Sequence, residues 1–103
     1  PSLRFWIREK GAAETDFLYP FKELIIPIEV KSGKTGTLKS LHQFMARCQH
    51  PYALRVYSGK TRIDQIQLPS GKKYHLCSIP YYLLSRLDEV IERLVSVSRT
   101  IDL

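Results

Sequence analysis

Cysteine, methionine and long apolar runs are scarce in this sequence. The 103 residues include two cysteines and one methionine, and no apolar run approaches the roughly 20 residues that a membrane-spanning helix needs. Cys48 and Cys77 are too few for a disulfide framework, and they do not fall at zinc-ligand spacing with the histidines, His42, His50 and His75. The sequence therefore predicts reduced thiols, no membrane association and a cytoplasmic location.

A signal peptide, a lipidation motif, an internal repeat and a Walker A phosphate-binding pattern are also missing from these residues. The sequence starts at Pro1 without a methionine, and a strand-like run begins almost at once. We therefore expect a C-terminal fragment of a longer protein, in which residues 1–103 form a single domain with one modest core.

The composition is that of a folded domain with an excess of positive charge. Hydrophobic residues make up 44% and charged residues 25% of the chain, the formal net charge is +6 and the pI is near 9.5. These fractions are ordinary for globular proteins and argue against disorder. The positive charge favours an anionic partner such as nucleic acid.

Hydrophobic periodicity predicts strands and helices in the order β-β-β-α-β-(β)-β-α, in which the strand in parentheses is short and optional. The strands are expected within residues 3–9, 14–19, 23–31, 52–58, 64–68 and 73–80, and the helices within residues 37–50 and 81–98. We therefore expect an α/β (α+β) domain with a mixed central sheet and flanking helices.

Each predicted helix has one apolar face. The first has Thr37 as its expected N-cap, with Lys39, Gln43 and Arg47 off the apolar face, which comprises Leu38, Leu41, Phe44, Met45 and Cys48. The buried face of the second is expected at Leu83, Leu84, Leu87, Val90, Ile91 and Leu94. The spacings are those of amphipathic helices that pack against a sheet.

The third predicted strand ends in two charged residues, Glu29 and Lys31, within "IIPIEVKSGKTG". Alternate side chains of a strand share a face, so these two project together. If residues 22–23 form a two-residue turn, Phe21 lies opposite Leu24, and the two sequence numbers of every opposed pair add up to 45. Asp16 then lies opposite Glu29. A longer turn would make the two carboxylates diagonal neighbours. Pro27 cannot donate to a ladder, so we expect a missing neighbour or a bulge beside it.

Two carboxylates at the ends of adjacent strands suit a hard cation such as Mg²⁺, which prefers oxygen ligands. Lys31 would then orient a water molecule or stabilise the transition state of phosphate chemistry, and the carbonyl of Val30 could add a ligand. Glu14 shares a strand face with Asp16 as a further candidate ligand. The alternative is a weak surface ion pair between Glu29 and Lys31, with Glu14 solvated.

Asp16, a hairpin and then Glu29-Val30-Lys31 resemble the signature of PD-(D/E)xK nucleases, with Thr15 in place of the proline. The segments "FWIREKGAAETDFLY", "IIPIEVKSGKTGTLKSLHQFM" and "CSIPYYLL" also look like a C-terminal domain of unknown function of prokaryotic AAA-type ATPases, which belongs to the same nuclease-like superfamily. This resemblance implies a restriction-endonuclease-like fold and a catalytic site at Asp16, Glu29 and Lys31, in which Asp16 and Glu29 bind Mg²⁺, or Mn²⁺ as a substitute.

The resemblance also implies supporting residues, partners and one departure from the superfamily. Gln43 falls where some members carry a supporting polar residue, and the partners implied are DNA and the ATPase module of the same parent chain. Lys34 and Lys39 are candidate phosphate-binding residues, and the alternative is a solvated loop followed by a solvated helix face. The helix that usually opens the fold is missing, which would expose apolar sheet and favour a homodimer of the fragment. The alternative function is a non-catalytic DNA-binding or protein-interaction module on the same fold.

Overall fold

The computed structural model describes residues 6–7, 17–31 and 38–101. Its strands are β1 (Trp6–Ile7), β2 (Phe17–Phe21), β3 (Leu24–Val30), β4 (Tyr52–Tyr57), β5 (Arg62–Gln67) and β6 (Lys73–Pro80). Its α-helices are α1 (Lys39–Arg47) and α2 (Leu87–Ile101), and a 3₁₀ segment spans Tyr81–Arg86. The predicted order of elements and the α/β class are confirmed.

The strands form one mixed sheet in the order β1-β2-β3-β4-β6-β5. The neighbours β3, β4 and β6 run parallel, whereas β1, β2 and β3 form an antiparallel meander and β5 lies antiparallel to β6. The chain therefore places β6 between β4 and β5, although β5 comes earlier in the sequence. The predicted mixed central sheet is confirmed.

The β2–β3 hairpin has the register that a two-residue turn predicts. Phe21 pairs with Leu24, and the pairing runs to Phe17 opposite Ile28. Lys22, the first turn residue, has a φ of 53°, the sign that tight hairpin turns need at this position. Pairing of β3 with β4 begins at Ile28, one residue after Pro27, so β4 is the neighbour that is missing beside the proline.

Helices α1 and α2 pack on opposite faces of the sheet. The larger core lies under α2, where Leu87, Ile91 and Leu94 contact a cluster that includes Tyr19, Phe21, Ile26, Ile28, Leu54, Val56, Cys77 and Ile79. The smaller core lies under α1, where Leu41 and Met45 join Ala53, Leu68, Tyr74 and Leu76. The alternation along β4 and β6 assigns successive residues to the two cores, so the domain has three layers.

The apolar faces of both helices follow the predicted stripes, but the helix starts differ from the predictions. Leu38 is the N-cap residue of α1 and makes no side-chain cap hydrogen bond; Thr37, the predicted N-cap, lies outside the described residues. The second helix does not run as one α-helix from residue 81. Its first six residues form the 3₁₀ segment, and α2 begins at Leu87, where Asp88 and Glu89 occupy the first turn and stabilise a helix N-terminus.

The carboxyl end of α1 is held by a lysine from the turn before β6. The Lys72 ammonium donates hydrogen bonds to the carbonyl oxygens of Met45 at 2.6 Å, of Cys48, and of His50 at 3.3 Å. The Met45 carbonyl also accepts a hydrogen bond from the Cys48 N–H at 3.2 Å. Carbonyls at the end of a helix lack the regular i+4 donor, and a cation there also stabilises the negative end of the helix dipole. Lys72 therefore joins α1 to the β5–β6 turn.

His50 connects the end of α1 to the sheet. One ring nitrogen, Nε2, lies 2.7 Å from the carbonyl oxygen of Ile25, and the other, Nδ1, accepts a hydrogen bond from the Tyr52 N–H at 3.1 Å. A carbonyl can only accept, so Nε2 carries the proton and the ring is neutral. Burial, opposed by the bond to Ile25 and reinforced by the charge of Lys72, lowers the pKa of His50.

None of the helices within residues 38–101 combines the length and the hydropathy that crossing a bilayer requires. Cys48 and Cys77 are free thiols, as predicted, and burial raises the pKa of Cys77 to about 11.

Candidate functional site

The carboxyl ends of the three parallel strands meet at one edge of the sheet. This edge contains the last residues of β3, β4 and β6, together with the first residues of β5, which runs the opposite way. In open α/β sheets, ligands bind outside the carboxyl ends of parallel strands. The predicted residues Glu29 and Lys31 lie at this edge, so the strand order places them where a ligand site is expected.

Glu29 and Lys31 lie on the α1 side of the sheet. Ile26 and Ile28 are buried in the core under α2, so the alternation of β3 directs Glu29 and Lys31 to the other face. Both are half-buried. The main chain of Lys31 is fixed, because its N–H donates to the Val56 carbonyl at 2.8 Å and its carbonyl accepts a hydrogen bond from the Tyr81 hydroxyl. The shared face follows from this alternation, and the roles of the two side chains stay predictions.

A row of polar residues crosses four strands at this edge. Glu29 of β3 pairs with Arg55 of β4, Arg55 with Ser78 of β6, and Ser78 with Arg62 of β5. Because paired residues on neighbouring strands point to the same face about 4.8 Å apart, the four side chains form one line. We call Glu29, Arg55, Ser78 and Arg62 the polar row.

Arg55 occupies the centre of the polar row and is half-buried. Its Nε donates a hydrogen bond to the hydroxyl of Ser78 at 3.0 Å, and its guanidinium carbon lies 5.1 Å from the ring centroid of Tyr57. Ser78 is fully buried. The guanidinium is therefore oriented by a buried hydroxyl and by a cation–π contact with a residue two positions along the same strand.

Arg62, at the β5 end of the polar row, differs from Arg55 in having a counter-ion. Its Nη2 lies 2.9 Å from the carboxylate of Asp64, and the side chains of Arg62 and Asp64 are 61% and 32% exposed. The hydrogen bond and the charge of Asp64 raise the pKa of Arg62. The positive charge of Arg62 is consequently neutralised at short range.

Tyr74 of β6 and His42 of α1 form a pair of polar side chains on the α1 side of the sheet. The Tyr74 hydroxyl lies 2.8 Å from Nδ1 of His42. Burial raises the pKa of Tyr74 to about 12, although the nearby charge of Arg55 acts in the opposite direction. Burial also lowers the pKa of His42. Both groups are therefore neutral near pH 7, and Tyr74 adds no negative charge beside Arg55.

Three predicted site residues lie outside the described residues: Asp16, Glu14 and Lys34. The observed hairpin register ends at Phe17 opposite Ile28. Its continuation by one pair would bring Asp16 opposite Glu29, and this pairing stays a prediction.

Gln43 and Lys39 belong to α1 and face away from the sheet. An α-helix turns about 100° per residue, so each lies roughly 200° around the helix from Leu41, which packs on the sheet. Lys39 is exposed and Gln43 is half-buried. Their placement off the apolar stripe is as predicted, and their roles as a phosphate-binding and a supporting residue stay predictions.

The described part of the site offers limited ligands for a metal ion. Within residues 17–31 and 38–100, no group of three or more His, Cys, Asp or Glu side chains is placed to hold one. Glu29 is the carboxylate of β3 on this face, and a hard cation takes more oxygen ligands than one carboxylate provides. Mg²⁺ is held by one or two carboxylates and keeps several waters, and the sequence prediction for a second carboxylate is Asp16.

Arg55, Tyr57, Ser78 and Arg62 were not among the residues predicted from the sequence. One signal was present: Arg55 is a charged residue in the middle of the otherwise apolar strand "YALRVYS". Its position beside Glu29 depends on the parallel pairing of β3 with β4, which residue spacing does not specify.

The chain matches one family model, described as a domain of unknown function, DUF4143, over residues 1–82. The matched range includes Glu29, Lys31 and the whole polar row, and it ends within the 3₁₀ segment before α2. No curated protein and no solved structure matches the chain. The family description assigns no activity, so a function has to be argued from the chemistry of the site.

Proposed function

This chain belongs to the DUF4143 family of domains of unknown function, and we propose that it is a nuclease-like domain that binds DNA and hydrolyses phosphodiesters with Mg²⁺. The observation that carries the proposal is that Glu29 and Lys31 lie two residues apart at the carboxyl ends of parallel strands. A carboxylate can bind a metal ion and an ammonium can stabilise negative charge, so the two side chains together suit phosphate chemistry at this edge.

In this proposal, Asp16 and Glu29 hold the metal ion through their carboxylate oxygens. A metal ion held by these two residues would supply positive charge that activates a water molecule and neutralises charge on the phosphate. The Lys31 ammonium orients the attacking water and stabilises the negative charge that develops on the phosphate oxygens. The hydrogen bonds that the Lys31 main chain makes to Val56 and Tyr81 support this role, because they fix the position from which the side chain extends.

Net charge supports DNA as the ligand of this edge. The chain carries a net charge of +6, and Lys31 and Arg55 lie at the same end of the sheet as Glu29. Cations on one surface attract the phosphate backbone and release its counter-ions, which is the main source of sequence-independent affinity. The same charges support the second candidate, a non-catalytic module that binds DNA without cutting it.

The partner proposed within the parent protein is an ATPase module, which rests on the resemblance of the three quoted segments to ATPase C-terminal domains. A homodimer of this chain is a second proposal, and sedimentation equilibrium over a tenfold concentration range tests it directly.

Cleavage and binding assays separate the two candidate functions. The chain is incubated with supercoiled, linear and branched DNA plus Mg²⁺ or Mn²⁺, beside the variants Asp16→Asn and Lys31→Ala. We expect metal-dependent cleavage by the unmodified chain and a loss of about 100-fold or more in each variant, since each removes charge that acts on the transition state.

Equal cleavage by the variants would contradict the catalytic roles. Salt-sensitive DNA binding without cleavage would favour the non-catalytic module. If the chain binds no DNA even at low salt, both DNA-directed functions are wrong.

A further inference from the structure

The charge of Arg55 has no counter-ion among the residues that the structure describes. No described carboxylate oxygen lies within 4.0 Å of its guanidinium, and its two contacts, Ser78 and Tyr57, are neutral. Arg55 is nevertheless half-buried. Withdrawing a charge from water is costly unless a partner compensates for it, so this position is suited to an external anion.

Most N–H groups of the Arg55 guanidinium have no acceptor among the described residues. A guanidinium has five N–H donors in a planar fork, and Nε is the donor engaged by the hydroxyl of Ser78. Within the described residues, neither terminal nitrogen makes a hydrogen bond. Two parallel N–H groups match two oxygens of a phosphate, which is the geometry for which arginine is preferred over lysine.

The Tyr57 ring that contacts Arg55 is held in place by the turn after β4. The Tyr57 hydroxyl donates a hydrogen bond to the Lys60 carbonyl at 2.6 Å. Gly59 lies so close to this ring that a Cβ atom there would come within 2.6 Å of it. The ring therefore has little freedom to move, and the guanidinium is oriented before any ligand arrives, which reduces the entropy lost on binding.

Arg62 provides the internal comparison. It belongs to the same polar row and faces the same side of the sheet as Arg55, but Asp64 neutralises its charge at 2.9 Å and its side chain is 61% exposed. The two arginines lie on one surface but differ in whether a neighbouring carboxylate neutralises their charge. The anion site is expected at Arg55 and not at Arg62.

We propose that Arg55 binds the non-bridging oxygens of a phosphate group, beside Glu29 and on the same face as Lys31. The inference rests on the proposed function for the identity of the ligand, a phosphate of the DNA backbone. It assigns Arg55 as a binding residue that holds the phosphate through its terminal nitrogens, with Ser78 and Tyr57 orienting the guanidinium. The Arg55–Glu29 pair then places an anion site next to the carboxylate of the proposed metal site.

The first experiment needs neither DNA nor a variant. Inorganic phosphate is titrated into ¹⁵N-labelled chain, and the Nε–H resonances of Arg55 and Arg62 and the amide of Ser78 are followed by NMR at constant ionic strength. We expect a saturable shift at Arg55 and Ser78 and a much smaller one at Arg62. Equal shifts at the two arginines, or none at Arg55, would overturn the assignment of Arg55 as a phosphate site.

The second experiment measures DNA binding with matched charge removals. Fluorescence anisotropy of a labelled duplex, without divalent metal and over a range of KCl concentrations, compares the unmodified chain with Arg55→Gln and Arg62→Gln. We expect Arg55→Gln to weaken binding about 10-fold or more and to reduce the salt slope by about one. Arg62→Gln should weaken binding less than about threefold. Arg55→Lys should recover only part of the loss, because it restores the charge but not the fork.

The outcomes distinguish failure of this inference from failure of the proposed function. Equal effects of Arg55→Gln and Arg62→Gln, with DNA binding intact, would refute the role of Arg55 and leave the DNA function standing. A phosphate shift at Arg55 without DNA binding would support the anion site and refute the proposed DNA ligand. Circular dichroism of Arg55→Gln controls for unfolding, and the phosphate titration of the unmodified chain decides the matter if that variant is not folded.

Discussion

The substitution Lys72→Met removes the ammonium that holds the carboxyl end of α1. Lys72 donates to the carbonyls of Met45 at 2.6 Å, of Cys48, and of His50 at 3.3 Å. Methionine has a similar length and no charge, so it can keep the packing of the aliphatic stem while all three hydrogen bonds are lost. The change therefore isolates the contribution of the charge to joining α1 to the β5–β6 turn.

The expected loss of stability follows from these contacts. A hydrogen bond to a charged group contributes about 1.5–3 kcal/mol, but the three bonds share one half-buried ammonium and solvent screens part of the charge. We expect Lys72→Met to lower the free energy of unfolding by about 2–3 kcal/mol. A domain of about 100 residues loses roughly 4 °C in Tm per kcal/mol, so its Tm should fall by about 10 °C.

A second effect of the same substitution concerns His50. The charge of Lys72 contributes to lowering the pKa of His50, so Lys72→Met should raise the pKa of His50. Thermal unfolding followed by circular dichroism measures the first effect, and NMR titration of the imidazole measures the second. The control is Lys73→Met, which removes the same charge from an exposed position at the start of β6. Equal Tm changes in the two variants, or an unchanged His50 pKa in Lys72→Met, would refute the reasoning.

Three further predictions follow from burial and hydrogen bonding. Because the pKa of His50 is lowered in the folded state, its contribution to stability is complete above pH 6.5 and declines as the pH falls below it; urea unfolding at pH 8 and pH 5 should show a weaker pH dependence in His50→Asn. Ile91→Ala should cost about 2–5 kcal/mol in urea unfolding, because Ile91 is fully buried, whereas Glu92→Ala on the exposed side should change stability by less than about 0.5 kcal/mol. Thiol labelling of the native chain at pH 8 should modify Cys48 well before Cys77, whose pKa is raised to about 11; equal labelling rates would contradict the burial of Cys77.

Local patterns were sufficient to predict the β2–β3 hairpin and both helix faces. A two-residue turn fixes which residues face each other, so the pairing of Phe21 with Leu24 determines the rest of that ladder. Apolar spacing identified Leu41 and Met45 of α1, because only one side of a helix can lie on a sheet. These features depend on residues that are close in sequence.

The polar row could not be predicted in this way, because its members come from four strands. Arg55 meets Ser78 only because β6 enters between β4 and β5, and the spacing of residues in the chain carries no information about that insertion. The 3₁₀ segment at Tyr81–Arg86 was missed for a different reason. The apolar spacing of this segment continues that of α2 and therefore does not distinguish the two helix types. They differ in the backbone hydrogen bonds, which join residues three apart in a 3₁₀ helix and four apart in an α-helix.

The position of α2 has a practical consequence for anyone who produces this domain. The family match ends at residue 82, whereas Leu87, Ile91 and Leu94, which lie fully within the larger core, come after it. A chain cut at the family boundary would present one whole apolar face of its sheet to water, and such a surface favours aggregation. The folding unit is therefore longer than the range that the family model matches. A chain produced for study of this domain should extend at least to the end of α2 at Ile101.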